Sequence, residues 1–200
     1  MFIGEYGKFV YLTYFGTAMA LLSMFFIIQG NLVVGMSLFI ISGLCDLFDG
    51  MVARSFNRTE AEEQFGVEID SLCDMINFAA LPAVLIMTQG AHLILNVGLA
   101  IVYVLAAVSR LAFFNRDAKL EERTPYFRGV PVTYAALFFP VGFLLSEVLW
   151  SNSYPYVLLV LALLLAFLFV WDVKIPKPNR KMYLFFLILA VVTLIGLWVL

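Results

Sequence analysis

The sequence predicts an all-α protein, a polytopic helical bundle within a membrane, and three observations lead to this fold class. Hydrophobic residues make up 64% of the 200 residues, the mean hydropathy is +1.00, and only 13% of the residues are charged. Soluble proteins contain about a quarter charged residues. The apolar residues also come in long runs, close to the roughly 20 residues that cross a bilayer as a helix. A soluble globular fold is therefore excluded, and we expect residues 1–200 to form a single transmembrane domain.

Seven apolar segments are candidates for membrane spans, so we expect about six to seven transmembrane helices, the sixth segment being the shortest. Residues 1–7 carry no positive charge, and the first apolar run is too long for the hydrophobic region of a signal peptide. We therefore expect no cleavable signal peptide. The segments are residues 9–29, 31–53, 67–89, 92–115, 130–150, 154–171 and 182–200.

The basic residues predict how the chain is oriented in the membrane. If the chain changes side at each span, all twelve Lys and Arg residues fall on or near one face, together with the N-terminus. The positive-inside rule makes this face cytoplasmic. We therefore expect a multi-pass protein of the cell membrane, with its N-terminus inside and, for an odd number of spans, its C-terminus outside. The basic loops are also expected to contact anionic membrane lipids.

Four aspartates in the second and third segments form an unusual cluster. A carboxylate in a membrane helix costs roughly 2.5 to 3.5 kcal/mol at mid-span, so four of them need a compensating partner. Asp46 and Asp49 are three residues apart and Asp70 and Asp74 are four apart, so each pair shares one helix face. In each pair, the aspartate farther from the short connection between the helices lies about 12 Å from the helix end at that connection. The two pairs should therefore face each other at matched depth, in a cleft open to the cytoplasm.

The residue types in this stretch predict a metal-bound diphosphate. Carboxylate oxygens suit Mg²⁺ or Mn²⁺. Gly50, Ala53 and Gly66 let a ligand or a neighbouring backbone come close, and Arg54 can pair with a phosphate. One alternative is that the carboxylates form ion pairs that hold the bundle together, and small residues by themselves simply pack membrane helices. A second is a divalent-cation transport site, although the sequence has no internal repeat of the kind typical of transporters.

Residues 46–74 resemble the sequence motif of the CDP-alcohol phosphotransferase family. The family pattern is Asp-x-x-Asp-Gly-x-x-Ala-Arg, a spacer, and Gly-x-x-x-Asp-x-x-x-Asp. The spacer here, residues 55–65, has eleven residues and is longer than is usual in the family. We interpret it as an extended cytoplasmic loop. All eight fixed positions of the motif are present, as Asp46, Asp49, Gly50, Ala53, Arg54, Gly66, Asp70 and Asp74.

The resemblance implies a transmembrane catalytic domain, a transferase that acts on a CDP-linked lipid with two divalent metal ions, Mg²⁺ or Mn²⁺. It implies that Asp74 is the general base, and that the enzyme forms a homodimer. The metal ligands implied are Asp46, Asp49, Asp70 and Asp74. The residues implied to bind the CDP moiety are Asp49, Gly50, Ala53, Arg54, Thr59, Gly66 and Asp70.

Two later segments resemble the phosphatidylserine synthase branch of this family. Residues 109–115 are similar to its Arg-Leu-Ala-Arg-Phe-Asn segment, and residues 126–131 to its Phe-x-Gly-Leu-Pro segment. The resemblance favours transfer of a phosphatidyl group from CDP-diacylglycerol, or its archaeal counterpart CDP-archaeol, to serine in phospholipid biosynthesis. We expect Arg110, Asn115 and Arg128, which lie in these segments, to bind the acceptor.

The position of Arg110 supports an acceptor site independently of the resemblance. It lies six residues before Arg116, about 9 Å inside the predicted helix end. A guanidinium at that depth suits a carboxylate or phosphate. The alternatives are pairing with Asp70 or Glu68, or snorkelling to the interface. Glycerol 3-phosphate and inositol phosphate are alternative acceptors, for which the loop 116–128 offers cations. No nucleic-acid partner is expected.

Overall fold

Helices account for most of the structure. It is a computed structural model, and it describes residues 4–119, 126–150, 152–176 and 180–200. The all-α class predicted from the sequence is confirmed. Short 3₁₀ turns precede two of the helices, at Lys8–Val10 and Val132–Tyr134. The α-helices are α1 (Tyr11–Ile28), α2 (Leu32–Arg54), α3 (Glu60–Asp74), α4 (Leu81–Gln89), α5 (Leu93–Lys119), α6 (Ala135–Leu149), α7 (Tyr154–Val170) and α8 (Arg180–Val199).

Six helical stretches in the described residues are long and apolar enough to cross a membrane. The third of them, Glu60–Gln89, combines α3 and α4 in one stretch of 30 residues. Helix α7 is apolar but has only 17 residues, so it falls just short of this length. The prediction of six to seven spans, with the sixth segment the shortest, is confirmed.

Helix α3 begins earlier than the sequence interpretation assumed. The expected loop over residues 55–65 is wrong in length, because the chain is already helical at Glu60. Thr59 caps this helix: its Oγ1 accepts from the Glu62 N–H at 3.3 Å, and its own N–H donates to the Glu62 carboxylate at 2.8 Å. This capping box, with further glutamates in the first turn, stabilises the helix N-terminus. The extra residues of the spacer therefore form helical turns.

The third span changes its helical type directly after Asp74. Residues Met75–Ala80 form a π-helical turn, a feature often found at functional sites. Pro82 has no N–H to donate to the Phe78 carbonyl four residues earlier. The Tyr103 hydroxyl donates to that carbonyl at 3.1 Å. A side chain from α5 thus supports the irregular segment that follows Asp74.

Aromatic packing holds α5, α6 and α7 together. Tyr103 lies edge-on against Phe139 and Phe169, with ring centroids 5.9 and 5.4 Å apart. All three side chains are fully or almost fully buried. Such pairs add to the stabilisation that burial of the rings already provides. This cluster sets the position of α5, which carries Arg110, relative to α7.

A two-stranded antiparallel ribbon joins two connections at one end of the bundle. Strand β1 (Tyr126–Arg128) pairs with β2 (Lys174–Pro176), and the Gly129 N–H donates to the Val173 carbonyl at 2.8 Å. The sequence did not predict these strands, because three residues are too few to show a period. The pairing places the α5–α6 and α7–α8 connections at the same end of the molecule.

Candidate active site

Carboxylates from α2 and α3 come together between the two helices. One oxygen from each of Asp46, Asp49 and Asp70 lies within 4.8 Å of the others. Asp74 is buried and lines the same cleft as the other three aspartates. The helical spacing of the two pairs therefore brings all four aspartates to one place, as expected from the sequence.

The chemistry of this cluster fits a divalent cation. Its ligand atoms are all carboxylate oxygens, which Mg²⁺ and Mn²⁺ prefer. Asp49 and Asp74 are buried, and uncompensated carboxylates within an apolar bundle are costly. A bound cation would remove that cost, since it supplies the missing positive charge.

Thr13 on α1 holds one of these carboxylates. Its hydroxyl donates to Asp49 Oδ2 at 2.9 Å. A hydrogen bond to a charged acceptor is short and strong, so it restricts how the carboxylate can turn. Sequence reasoning missed Thr13, because one threonine in an apolar span carries no motif. The available signal was a polar residue in the first span at the depth of the aspartates.

The aspartates line a cleft of about 250 Å³. Gly50 and Arg54 of α2 and Arg110 of α5 also line it. A side-chain carbon at Gly50 would stand 3.5 Å from the Arg54 guanidinium, an ordinary van der Waals contact, so Gly50 lies directly beside that group. Four further lining residues were not found from the sequence, because the fold brings them from distant parts of the chain: Thr133, Tyr134, Tyr183 and Phe186.

Arg110 separates this cleft from a second cavity, and it lines both. Its guanidinium is buried and donates from Nε to the Val130 carbonyl at 3.2 Å and from Nη2 to the Gly129 carbonyl at 3.4 Å. Gly129 has φ +76°, and a Cβ there would lie 2.8 Å from the Phe169 carbonyl. Only glycine suits this close approach. Arg110 is thus bound inside the bundle and does not snorkel.

The second cavity, of about 220 Å³, contains charges of both signs. Arg128 forms a double hydrogen bond with Asp172, from Nε to Oδ1 at 3.0 Å and from Nη2 to Oδ2. This hydrogen bonding raises the pKa of Arg128 and lowers the pKa of Asp172. The pair therefore stays ionised at neutral pH. With Arg110, the cavity presents two guanidinium groups and one carboxylate to a ligand.

Comparison with known proteins agrees with this geometry. The family model for CDP-alcohol phosphatidyltransferase matches residues 10–171. The chain belongs to this family. The CDP-diacylglycerol–serine O-phosphatidyltransferase of Bacillus subtilis is 30% identical over 147 residues, which cover 72% of this chain and 75% of that protein. The enzyme of the same name from Helicobacter pylori is 28% identical over 190 residues, 88% of this chain and 76% of that protein.

A further relative is the archaetidylserine synthase of Methanothermobacter thermautotrophicus, 33% identical over 127 residues, 61% of this chain and 53% of that protein. The part of the chain that matches the CDP-alcohol phosphatidyltransferase family contains all four aspartates, Arg110 and Arg128. Helix α8 lies outside the matched residues, yet Tyr183 and Phe186 of this helix line the cleft.

Several residues that the family resemblance singled out lie apart from the cleft lining. Within the described residues, that lining does not include Ala53, Thr59, Gly66 or Asn115. The exposed Thr59 caps α3. Asn115 Oδ1 accepts from the Ser71 hydroxyl at 2.8 Å, which ties α5 to α3. Ligand binding by these four residues stays a prediction.

Proposed function

We propose that this protein is a CDP-diacylglycerol–serine O-phosphatidyltransferase, which transfers a phosphatidyl group to serine and releases CMP. The observation that carries the proposal is the convergence of Asp46, Asp49, Asp70 and Asp74 in a cleft that also contains Arg54. The names of the relatives support serine as the acceptor. We further propose that residues 1–200 act as one catalytic domain and form a homodimer. The excess of basic residues on one face supports a cytoplasmic site.

The donor would bind with its diphosphate in the acidic cleft. Asp46, Asp49, Asp70 and Asp74 would hold divalent ions, two by analogy with the family. When bound, Mg²⁺ or Mn²⁺ neutralises the phosphoryl oxygens and the CMP leaving group. The Arg54 guanidinium can pair with one phosphate. The residues proposed to surround the CDP moiety are Asp49, Gly50, Ala53, Arg54, Thr59, Gly66 and Asp70.

Asp74 is the proposed general base. It takes the proton from the serine hydroxyl, whose oxygen attacks the lipid-side phosphorus while the bond from that phosphorus to CMP breaks. The buried Asp74 carboxyl lines the cleft together with Asp46, so it can hold the proton away from bulk water. A single displacement of this kind requires no other group to carry the phosphatidyl moiety.

Arg110, Asn115 and Arg128 are the proposed acceptor-binding residues. Arg110 faces both cavities, so its guanidinium can hold the serine carboxylate beside the aspartates. The second cavity adds one cation, Arg128, and one anion, Asp172. This balance suits a zwitterionic amino acid. A phosphorylated acceptor such as glycerol 3-phosphate would place two negative charges near the Asp172 carboxylate.

A direct assay tests this function. Purified protein is incubated with CDP-diacylglycerol and Mn²⁺, and CMP release is measured with serine, glycerol 3-phosphate, inositol phosphate or no acceptor. We expect rapid CMP release only in the reaction that contains serine as the acceptor. Release with one of the phosphates instead would reassign the acceptor. If no alcohol gives CMP while Mn²⁺ crosses the membrane of vesicles containing the protein, the transport alternative is correct. CDP-archaeol in a parallel series identifies the lipid donor.

A further inference from the structure

The Tyr134 hydroxyl is a buried polar group without a partner. Its oxygen is shielded from solvent, and none of the residues the structure describes forms a hydrogen bond with it. Most buried polar groups in proteins are hydrogen-bonded, because leaving one unpaired lowers the stability of the fold. An unpaired hydroxyl next to a ligand cleft therefore requires an explanation, and one explanation is that the ligand supplies the partner.

Tyr134 lies where the acidic cleft meets an apolar groove. It ends the 3₁₀ turn before α6 and lines the cleft together with Asp46. The same two residues line a smaller cavity of about 60 Å³ between α2, α6 and α8. The remaining walls of that cavity are largely apolar, with Ile40, Leu44 and Ala190 among them. The polar space around the aspartates thus adjoins this smaller cavity, the apolar groove, whose walls suit hydrocarbon.

The ring of Tyr134 is held in place by α8. It packs edge-on against Phe186, with ring centroids 5.3 Å apart, and Phe186 lines the same two cavities. Tyr183 of the same helix lines the cleft beside it. The ring is therefore held at the boundary between the polar and apolar spaces before any ligand binds, which reduces the entropy lost on binding.

We propose that Tyr134 is a binding residue for the donor lipid, and that its hydroxyl donates a hydrogen bond to a donor oxygen. This inference rests on the proposed function, which places the diphosphate on the aspartates. A lipid with its diphosphate in the cleft and a hydrocarbon chain in the groove must place its phosphate-ester and glycerol oxygens between the two. Tyr134 stands at that junction and has a hydrogen to donate.

The substitution Tyr134→Phe tests the proposal, and Tyr154→Phe is a matched control. The Tyr154 hydroxyl is also buried without a partner in the described structure, but Tyr154 lines neither of the two cavities that Tyr134 lines. Each substitution removes only one oxygen atom. Because neither oxygen is paired, we expect both variants to have unfolding temperatures equal to or above that of the wild type.

Binding of CDP-diacylglycerol is measured by calorimetry in detergent with Mn²⁺ and without serine. We expect the Kd to rise about three- to tenfold in Tyr134→Phe, the value of one hydrogen bond, and to stay unchanged in Tyr154→Phe. The KM for serine should not change in either variant. Equal Kd values in wild type and Tyr134→Phe would overturn the proposal. An equal loss of affinity for CDP-diacylglycerol in both variants would also overturn it.

An ether-linked CDP-dialkylglycerol identifies the oxygen. If the hydroxyl bonds to an ester carbonyl, the wild type binds the ether lipid more weakly than CDP-diacylglycerol. The Tyr134→Phe substitution then causes no further loss of affinity for the ether lipid. If the hydroxyl bonds to the phosphate, the substitution raises the Kd by the same factor for both lipids. If lipid binding depends on Tyr134 but no acceptor gives CMP release, the proposed function is refuted and the role of Tyr134 in lipid binding is not. A wild type that does not bind CDP-diacylglycerol would refute both.

Discussion

The two cavities that meet at Arg110 are built in different ways. The acidic cleft takes its four carboxylates from one short stretch, residues 46–74, where helical spacing orders each pair and a short connection joins the two helices. The second cavity takes Arg110, Arg128 and Asp172 from three separate parts of the chain, brought together by aromatic packing and the strand pairing. Local periodicity therefore accounts for most of the proposed donor site, whereas tertiary contacts form the proposed acceptor site. Substitutions on the two sides of Arg110 should separate these roles.

The largest effect is expected on the donor side, from Asp74→Asn. Loss of a general base should lower kcat by about 10²- to 10⁴-fold and leave CDP-diacylglycerol binding largely intact. CMP release and calorimetric binding measure the two quantities. Glu63→Gln, an exposed residue on the same helix paired with Arg58, is the matched control and should retain full activity. More than about a tenth of wild-type activity in Asp74→Asn would remove it from the role of base.

Thr13→Val tests whether Asp49 needs its hydrogen-bond donor. Loss of a group that orients a metal ligand typically weakens metal affinity about 10- to 100-fold, so half-maximal activity should require correspondingly more Mn²⁺. Thr17→Val is the control, since the Thr17 hydroxyl donates to the Thr13 backbone carbonyl one turn earlier in the same helix. An unchanged Mn²⁺ requirement in Thr13→Val would show that the hydrogen bond from Thr13 to Asp49 does not contribute to metal binding. Chelation with EDTA should abolish activity in all variants, with recovery on addition of Mn²⁺.

Arg110→Lys tests the residue that both cavities share. Lysine keeps the charge but not the planar fork that reaches two backbone carbonyls, so we expect the KM for serine to rise about tenfold. The KM for CDP-diacylglycerol should stay near its wild-type value. Arg116→Lys, in an exposed ion pair with Asp117, serves as the control and should change neither constant. Equal increases in both KM values would instead show that Arg110 supports the whole bundle.

The smallest effect is expected on the acceptor side, from Asp172→Asn. The pair with Arg128 is solvent-exposed, so the unfolding temperature should fall by less than about 2 °C at neutral pH. Since Arg128 lowers the pKa of Asp172, the pair stabilises the folded protein above the ordinary carboxyl pKa and loses this effect as pH falls through the lowered value. Thermal unfolding should therefore show a constant difference between pH 6 and 8 that narrows below about pH 4. A difference independent of pH would rule out the ionised pair as its cause.

Individual residues show how far prediction from the sequence reached. The four aspartates line one cleft as their spacing indicated, because positions three or four apart on a helix share a face. The start of α3 was misjudged even though Thr59 and Glu62 form a capping box that can be read in the sequence. Thr13 and Tyr134 were not predicted at all, since each gains its meaning only from a neighbour on another helix.

The sequence by itself determined the membrane class, the number of apolar spans, the family and the group of four carboxylates. These properties depend on composition and on the spacing of residues along short stretches of the chain, both of which can be read without knowledge of the fold. Only the tertiary structure decided that Arg110 binds backbone carbonyls, that Arg128 pairs with Asp172, and that Tyr134 lies between the acidic cleft and an apolar groove. The physical reason is that these contacts join residues from separate helices and loops, and packing between helices follows no short-range pattern in the chain.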